Sequence, residues 1–120
     1  PGEAGGDKRM NIVDALKDIY DSLKPLSYKT IGDNRKVVTT AGTRVALAAS
    51  TLVKTVIITA ETDNTGDVVV GGATVEAALA TRQGTPLDPG DSIILNIDDL
   101  ADIYLDSAVS GDGVTFTYLN

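Results

Sequence analysis

The chain has 120 residues, enough for one folded domain with a hydrophobic core but too few for two ordinary ones. Its 42% hydrophobic and 22% charged residues are close to average usage, and no apolar run reaches the length of a membrane span, so we predict none. The absence of cysteine and histidine excludes disulfides, thiolate metal sites and histidine-based catalysis, on which most hydrolases and metalloenzymes depend.

The net charge of −7 is unevenly distributed along the chain. Residues 1–40 carry seven Lys/Arg and six Asp/Glu, a balance of +1, whereas residues 41–120 carry three and eleven, a balance of −8. An acidic surface repels phosphate backbones and anionic lipid headgroups. We therefore predict that neither nucleic acid nor membrane is a partner, and we interpret the acidity as favouring solubility.

The first predicted element is an amphipathic helix over residues 11–24. Apolar residues recur at the spacing of one helical face, and we call this set the helix stripe: Ile12, Val13, Leu16, Ile19, Tyr20 and Leu23. Asn11 suits the N-cap, Asp14 interacts favourably with the helix dipole, and Pro25 ends the element. A helix this short is marginal alone, so the stripe must pack either on the domain's own sheet or on copies and neighbours. Only packing on copies or neighbours would give the stripe a role in function.

The segments on either side of the helix have no apolar periodicity. Residues 1–10 are rich in glycine and charge, which is typical of disorder without a partner. Residues 25–34 include the turn-forming run Gly32-Asp33-Asn34 and are predicted to be a linker. We therefore predict an N-terminal arm, residues 1–34, and a β-domain, residues 35–120.

From residue 35 onward the apolar period changes to two, which predicts strands. The predicted strands are residues 35–40, 43–47, 54–61, 67–71, 92–97, 102–106 and 114–119, with 74–80 read as a short strand then loop, or one helical turn. Residues 85–91 are predicted to be loop and turn. The nearly all-apolar run 54–61 is typical of a strand covered on both faces, whereas residues 114–119 alternate as in a half-buried strand.

Seven or eight short strands separated by turns predict a mainly β protein. The expected architecture is an antiparallel β-sandwich or jelly roll, preceded by one N-terminal amphipathic helix. The edges of an open sandwich must be paired or covered, and the arm or a neighbouring subunit is the expected cover.

Five strand and turn segments in residues 37–120 form a distinctive series. They are Ala41-Gly42-Thr43, Asn64-Thr65-Gly66 with the following Asp67 to Gly72, Pro86 to Ser92, Asp102-Ile103-Tyr104-Leu105, and Gly111-Asp112-Gly113-Val114. In this order and spacing they resemble small virion-associated β-sandwich proteins of tailed bacteriophages. The arm lies outside the resembling segments.

The resemblance implies a non-enzymatic structural role on a phage particle, as a capsid decoration protein or as a head, neck or tail accessory. The partners it implies are the major capsid protein or other virion proteins. The implied location is the virion, with the capsid surface favoured over the tail, after synthesis in the host cytoplasm. A cyclic homo-oligomer, with a trimer favoured, would suit the local symmetry of a shell. The helix stripe is the predicted interface.

Clustered aspartates are the candidates for a metal site or for catalysis. Those near one predicted corner are Asp98, Asp99, Asp102 and Asp106. Loop oxygens suit calcium, for which Asp98, Asp99 and Asp102 are the candidates, but their spacing is not that of an EF-hand and aspartate is common in turns. The pairs Asp98/Asp99 and Asp88/Asp91 lack the aromatic cleft of a glycosidase in a chain with one Phe and no Trp. We predict no cofactor and no enzymatic activity.

The alternative function is a tail- or neck-associated accessory protein whose sandwich binds a receptor or carbohydrate. Carbohydrate sites normally use exposed aromatic platforms. Tyr104 and Tyr118 are predicted to lie in the core or at its rim, which leaves Tyr20 and Tyr28 in the arm.

Overall fold

The computed structural model describes residues 11–23 and 28–120. The predicted segment 1–10, residue 24 at the predicted end of the helix, linker residues 25–27 and the side chains of Ser22 and Leu23 lie outside the described residues. The described elements are α1 (Ile12–Leu23), β1 (Ile31–Val37), β2 (Val45–Ala46), β3 (Thr55–Ala60), β4 (Val68–Gly71), β5 (Thr85–Leu87), β6 (Ser92–Leu95), a 3-10 helix (Leu100–Asp102), β7 (Tyr104–Ser107) and β8 (Gly113–Leu119).

Helix α1 begins where its capping residues predict. The Asp14 backbone N–H donates to Asn11 Oδ1 at 2.8 Å, which satisfies one of the free N–H groups of the first turn. The bounds Ile12–Leu23 agree with the predicted range to within one residue at each end. Local sequence signals were therefore sufficient to place this element.

The strands form two antiparallel four-stranded sheets, as the sequence predicted for a sandwich. Sheet A has the order β1-β8-β3-β6, and sheet B has the order β2-β7-β4-β5. The core between them is made of apolar side chains from both sheets and their connections: Val56, Ile58, Val114 and Phe116 from sheet A, Val68, Val70, Leu87 and Leu105 from sheet B, and Val38, Leu47, Leu100 and Ile103 from between strands.

The outer faces of the two sheets differ. On sheet B, Val69 is fully buried beneath Val75 and Ala77 of the β4–β5 connection, with Tyr104 packed against the group. On sheet A, Ile57 points outward and is 36% exposed. Among the described residues, the β4–β5 connection therefore covers the outer side of sheet B, whereas apolar side chains on the outer side of sheet A stay exposed.

Strand β3 corrects one prediction. The run 54–61 was expected to be covered on both faces, but Val56, Ile58 and Ala60 are fully buried whereas Ile57 and Thr59 on the other face are partly exposed. The β-branched side chains of the outer face suit a pleated strand whether or not they are covered. Composition alone therefore did not distinguish one buried face from two.

Strand β1 corrects the predicted linker. It begins at Ile31 rather than at residue 35 and pairs with β8 over its whole length, from Ile31 opposite Leu119 to Val37 opposite Gly113. The turn-forming composition of residues 32–34 is overridden by this distant partner strand. Gly32 lies opposite Tyr118, whose ring occupies the space that a Cβ on Gly32 would need.

The segment between β4 and β6 also differs from the prediction. Residues 74–80 form no regular strand, and instead Glu76 and Gln83 make an isolated bridge with two 3.0 Å backbone hydrogen bonds. Residues 85–91 were predicted to be loop, but Thr85–Leu87 forms β5. Pro86 is tolerated because β5 is an edge strand, where a missing N–H need not break a ladder.

The close approach of Tyr118 to Gly32 predicts an unequal cost of two glycine substitutions. We expect Gly32→Ala to lower the free energy of unfolding by about 1–3 kcal/mol, because the new methyl group overlaps the ring. Gly72→Ala is the control, since no heavy atom lies within 4 Å of its Cβ position, and should change stability by less than about 0.5 kcal/mol. Urea unfolding of both variants measures the difference, and equal losses would contradict the packing argument.

Candidate functional site

The helix stripe is the most exposed apolar feature among the predicted sites. Its described members are 77% exposed at Ile12, 74% at Val13, 60% at Leu16, 55% at Ile19 and 64% at Tyr20. Neighbouring apolar side chains this exposed on one helix mark a surface for another molecule or another part of the chain. In the described part of the chain the domain's own sheet does not cover these five residues.

The predicted calcium corner is built as a turn. Asp99 Oδ1 accepts backbone hydrogen bonds from Thr51 at 2.9 Å and Ala101 at 3.0 Å, and its Oδ2 accepts from Ser50 Oγ at 2.7 Å. These bonds, the one from Ala101 first, lower the pKa of Asp99 below its ordinary value because they stabilise the ionised carboxylate. Both oxygens of Asp99 are therefore already engaged.

The other two calcium candidates do not join Asp99 in a ligand set. Asp98 and Asp102 have exposed side chains on either side of it. Among residues 11–23 and 28–120, no group of three or more acidic side chains is placed to hold a metal ion. Asp99 instead caps the 3-10 helix, and its hydrogen bonds join this helix to residues 50–51.

Sequence reasoning grouped Asp106 with that corner and missed its role. The side chain is only 2% exposed, and its carboxylate accepts three backbone N–H groups. Oδ1 accepts from Gly42 at 3.0 Å and from Ser107 at 2.9 Å, and Oδ2 accepts from Ala77 at 2.8 Å. Asp106 therefore joins β7, the Ala41-Gly42 turn and the segment that covers sheet B.

A second buried polar cluster joins two of the resembling segments. Asp112 accepts from the Thr65 N–H at 3.2 Å and the Gly66 N–H at 2.8 Å. Asn64 and Gly113 exchange two hydrogen bonds, with the Gly113 N–H donating to Asn64 Oδ1 at 3.0 Å and Asn64 Nδ2 donating to the Gly113 carbonyl at 2.8 Å. The Asn-Thr-Gly and Gly-Asp-Gly runs thus hold each other in place, which is a structural task.

Asp88 has a different carboxyl neighbour from the one the sequence suggested. That neighbour is Asp67, and hydrogen bonding to the Asp67 side chain, followed by its charge, raises the pKa of Asp88 above its ordinary value. Arg82 Nη1 lies 3.3 Å from Asp67 Oδ2 and partly balances the pair. Asp91 instead accepts from the Asp88 backbone N–H at 3.2 Å, within the turn.

A surface depression of about 670 Å³ lies beside this pair and carries few reactive groups. Its lining is mostly small and apolar: Ala41, Gly42, Gly66, Asp67, Ala77, Ala78, Leu79, Arg82, Ser107 and Ala108. The Ser107 hydroxyl donates to the Val109 carbonyl at 2.7 Å, and Arg82 is committed to Asp67 and the Ala77 carbonyl. The lining therefore offers no nucleophile paired with a base.

The tyrosines are distributed as the sequence predicted. Tyr104 and Tyr118 are half-buried, and the Tyr118 ring packs near Phe116 with 6.2 Å between ring centroids. Tyr20 and Tyr28 are the exposed ones, and Tyr28 Oη lies 3.2 Å from Thr55 Oγ1. The sandwich itself therefore presents no aromatic platform among these four residues.

Comparisons with protein families, with curated proteins and with solved structures found no significant match. Within the described ranges no helix is both long and apolar enough to cross a membrane. The carboxylates of Asp99, Asp106 and Asp112 are engaged within the fold, whereas the described residues of the helix stripe are exposed.

The three hydrogen bonds of Asp106 predict a large stability loss on removing its charge. Asp106→Asn supplies one acceptor oxygen and turns an amide N–H₂ toward a backbone donor, so we expect to lose about 2 kcal/mol or more. Asp102→Asn, at an exposed position, is the control and should stay within about 0.5 kcal/mol. Denaturant unfolding measures the free energy of unfolding of both variants. An unchanged stability of Asp106→Asn would contradict the anchoring role of the carboxylate.

The raised pKa of Asp88 predicts an opposite, pH-dependent effect. Because the folded pKa exceeds the unfolded one, the Asp88 contribution to stability is present at low pH and is lost as the pH rises through the folded pKa. Asp88→Asn should therefore raise the melting temperature at pH 7 and give no gain at pH 3. Thermal unfolding at both values is the measurement, with Asp98→Asn as the charge-matched control, and a gain of equal size at both would contradict it.

Proposed function

We propose that this protein is a non-enzymatic structural subunit of a tailed-phage particle, most simply a capsid decoration or accessory protein held in place through its helical arm. The observation that carries the proposal is the exposed helix stripe, because a short helix with an uncovered apolar face requires another surface. The resemblance of the strand and turn segments to phage virion proteins supplies the setting.

The polar chemistry of the sandwich supports a scaffold rather than a reaction centre. The carboxylates of Asp99, Asp106 and Asp112 each accept two or three hydrogen bonds within the fold. Buried polar groups satisfied in this way make a fold specific and rigid. A rigid domain on an adhesive arm is what a surface subunit of a particle needs.

The energetics favour attachment through many copies. Complete burial of a large apolar side chain contributes about 1.5–3 kcal/mol, so the five described stripe residues offer about 8–15 kcal/mol at most. Association itself costs about 4–15 kcal/mol, so the net binding free energy of a single arm is small. Several arms in one cyclic oligomer, with a trimer favoured, would bind far more tightly than one through effective concentration.

The proposal predicts that the stripe, and not the polar side of the helix, is needed for assembly. Leu16→Asp with Ile19→Asp should reduce incorporation into particles at least about tenfold while leaving the β-domain folded, because two carboxylates would be buried at the contact. Asp18→Lys is the control, since it also changes the charge by two, with the opposite sign, and lies on the side of the helix away from the stripe.

The measurement is quantitative mass spectrometry of purified particles, scaled to the major capsid protein, with circular dichroism to check folding. A copy number near that of the capsid protein, or a simple fraction of it, would place the subunit on the shell, and about a dozen copies would place it at the neck or tail. Full incorporation of the double variant would overturn the arm as the attachment, and absence of the native protein from particles would overturn the virion role.

A further inference from the structure

The outer face of sheet A is a second apolar surface that residues 11–23 and 28–120 leave open. Residues directly opposite in an antiparallel ladder share a face, and the register places Ile57 beside Thr117 and Ile94, and Ile31 beside Leu119. Ile31 is 72% exposed and Ile94 is 65% exposed. We call this set, Ile31, Ile57, Ile94, Thr117 and Leu119, the A face.

Polar side chains flank the apolar members of the A face, since the register also puts Asp33 opposite Thr117 and Arg35 opposite Thr115, where Arg35 Nη2 donates to Glu61 Oε1 at 3.0 Å. Thr55 Oγ1 donates to Asn96 Oδ1 at 2.8 Å, and the hydroxyls of Thr59 and Ser92 lie 2.7 Å apart. These bonds engage the hydroxyls of both threonines and of the serine within the sheet. A layer placed on the A face would therefore bury apolar atoms without stranding these donors.

Sheet B shows what the A face lacks. Its outer valine, Val69, is sealed by Val75 and Ala77, whereas no described segment gives Ile57 and Ile94 an equivalent cover. The chain therefore carries two unmatched apolar surfaces, the helix stripe and the A face. The simplest arrangement is that the helix stripe covers the A face.

The path of the chain brings the arm to the A face. Tyr28 follows α1 and places its hydroxyl 3.2 Å from Thr55 Oγ1, next to Leu119 in the same row of the sheet. The N–H groups of Lys29 and Thr30 donate to the Asn120 carbonyl at the same end of the sheet. An arm that starts beside this face is in position to meet the face of an adjoining copy.

The helix also matches the sheet in size. A helix of 12 residues is about 18 Å long, close to the width of four strands at about 4.8 Å spacing.

We infer that the helix stripe of one copy packs on the A face of a second copy, so that arms are exchanged between subunits. This deepens the proposed function by naming the partner surface of the arm. The stripe spans fewer than the about three to four heptads of a self-sustaining coiled coil, which favours a sheet over a helix bundle as its partner. In a cyclic oligomer each subunit then makes two such contacts, one through its helix stripe and one through its A face.

The absence of cysteine gives a direct test on the full chain. Ile19→Cys and Ile94→Cys are made in separate chains of different tag length, mixed and mildly oxidised. We expect a disulfide-linked heterodimer on a non-reducing gel, which only contact between copies can produce. Leu79→Cys replaces Ile94→Cys in the control, because Leu79 is 82% exposed in the β4–β5 connection, and should give at least about tenfold less product.

The remaining outcomes separate the alternatives. An amount of heterodimer no greater than in the control overturns the inference. Homodimers formed mainly between two Ile19→Cys chains also overturn it and would indicate a helix bundle. A chain with both cysteines that closes only within itself would show the arm covering its own sheet. If these fail while Leu16→Asp with Ile19→Asp still abolishes incorporation, the proposed function stands and only the partner surface is wrong.

Discussion

The carboxylate of Asp106 is the interaction on which the arrangement of sheet B depends. It lies on the same side of the sheet as Val69, its register partner, and it accepts N–H groups from Gly42, Ala77 and Ser107. Through Ala77 it holds the segment that seals Val69. One buried charge therefore determines that sheet B is covered by its own chain, and the contrast with sheet A follows from it.

The same logic explains why turn residues form the distinctive sequence segments. Asn64 and Asp112 hold two turns against each other, and Gly111 adopts a φ of +93°, which favours glycine. Such residues are specified by backbone geometry and not by a ligand. A resemblance carried by them is informative about how the domain is built, and the function of this chain is more directly expressed in its surfaces.

Features determined by local sequence were predictable, and features determined by distant partners were not. Periodicity and capping placed α1 and its stripe, and alternation placed the buried face of β8. Gly32 and Pro86 read as turn residues because the strands that pair with them are far away in sequence. The A face was missed for the same reason, since Ile57 and Ile94 become neighbours only through the register of β3 and β6.

The ladder between β1 and β8 also determines how the domain would bear a load. The arm connects to β1 at Ile31, and β1 is paired with β8 along its full length. Antiparallel hydrogen bonds run perpendicular to the strands, so tension along β1 loads them sideways and together. A pull on the arm along β1 would therefore be resisted by shear across the whole ladder, so that its hydrogen bonds would not open one at a time.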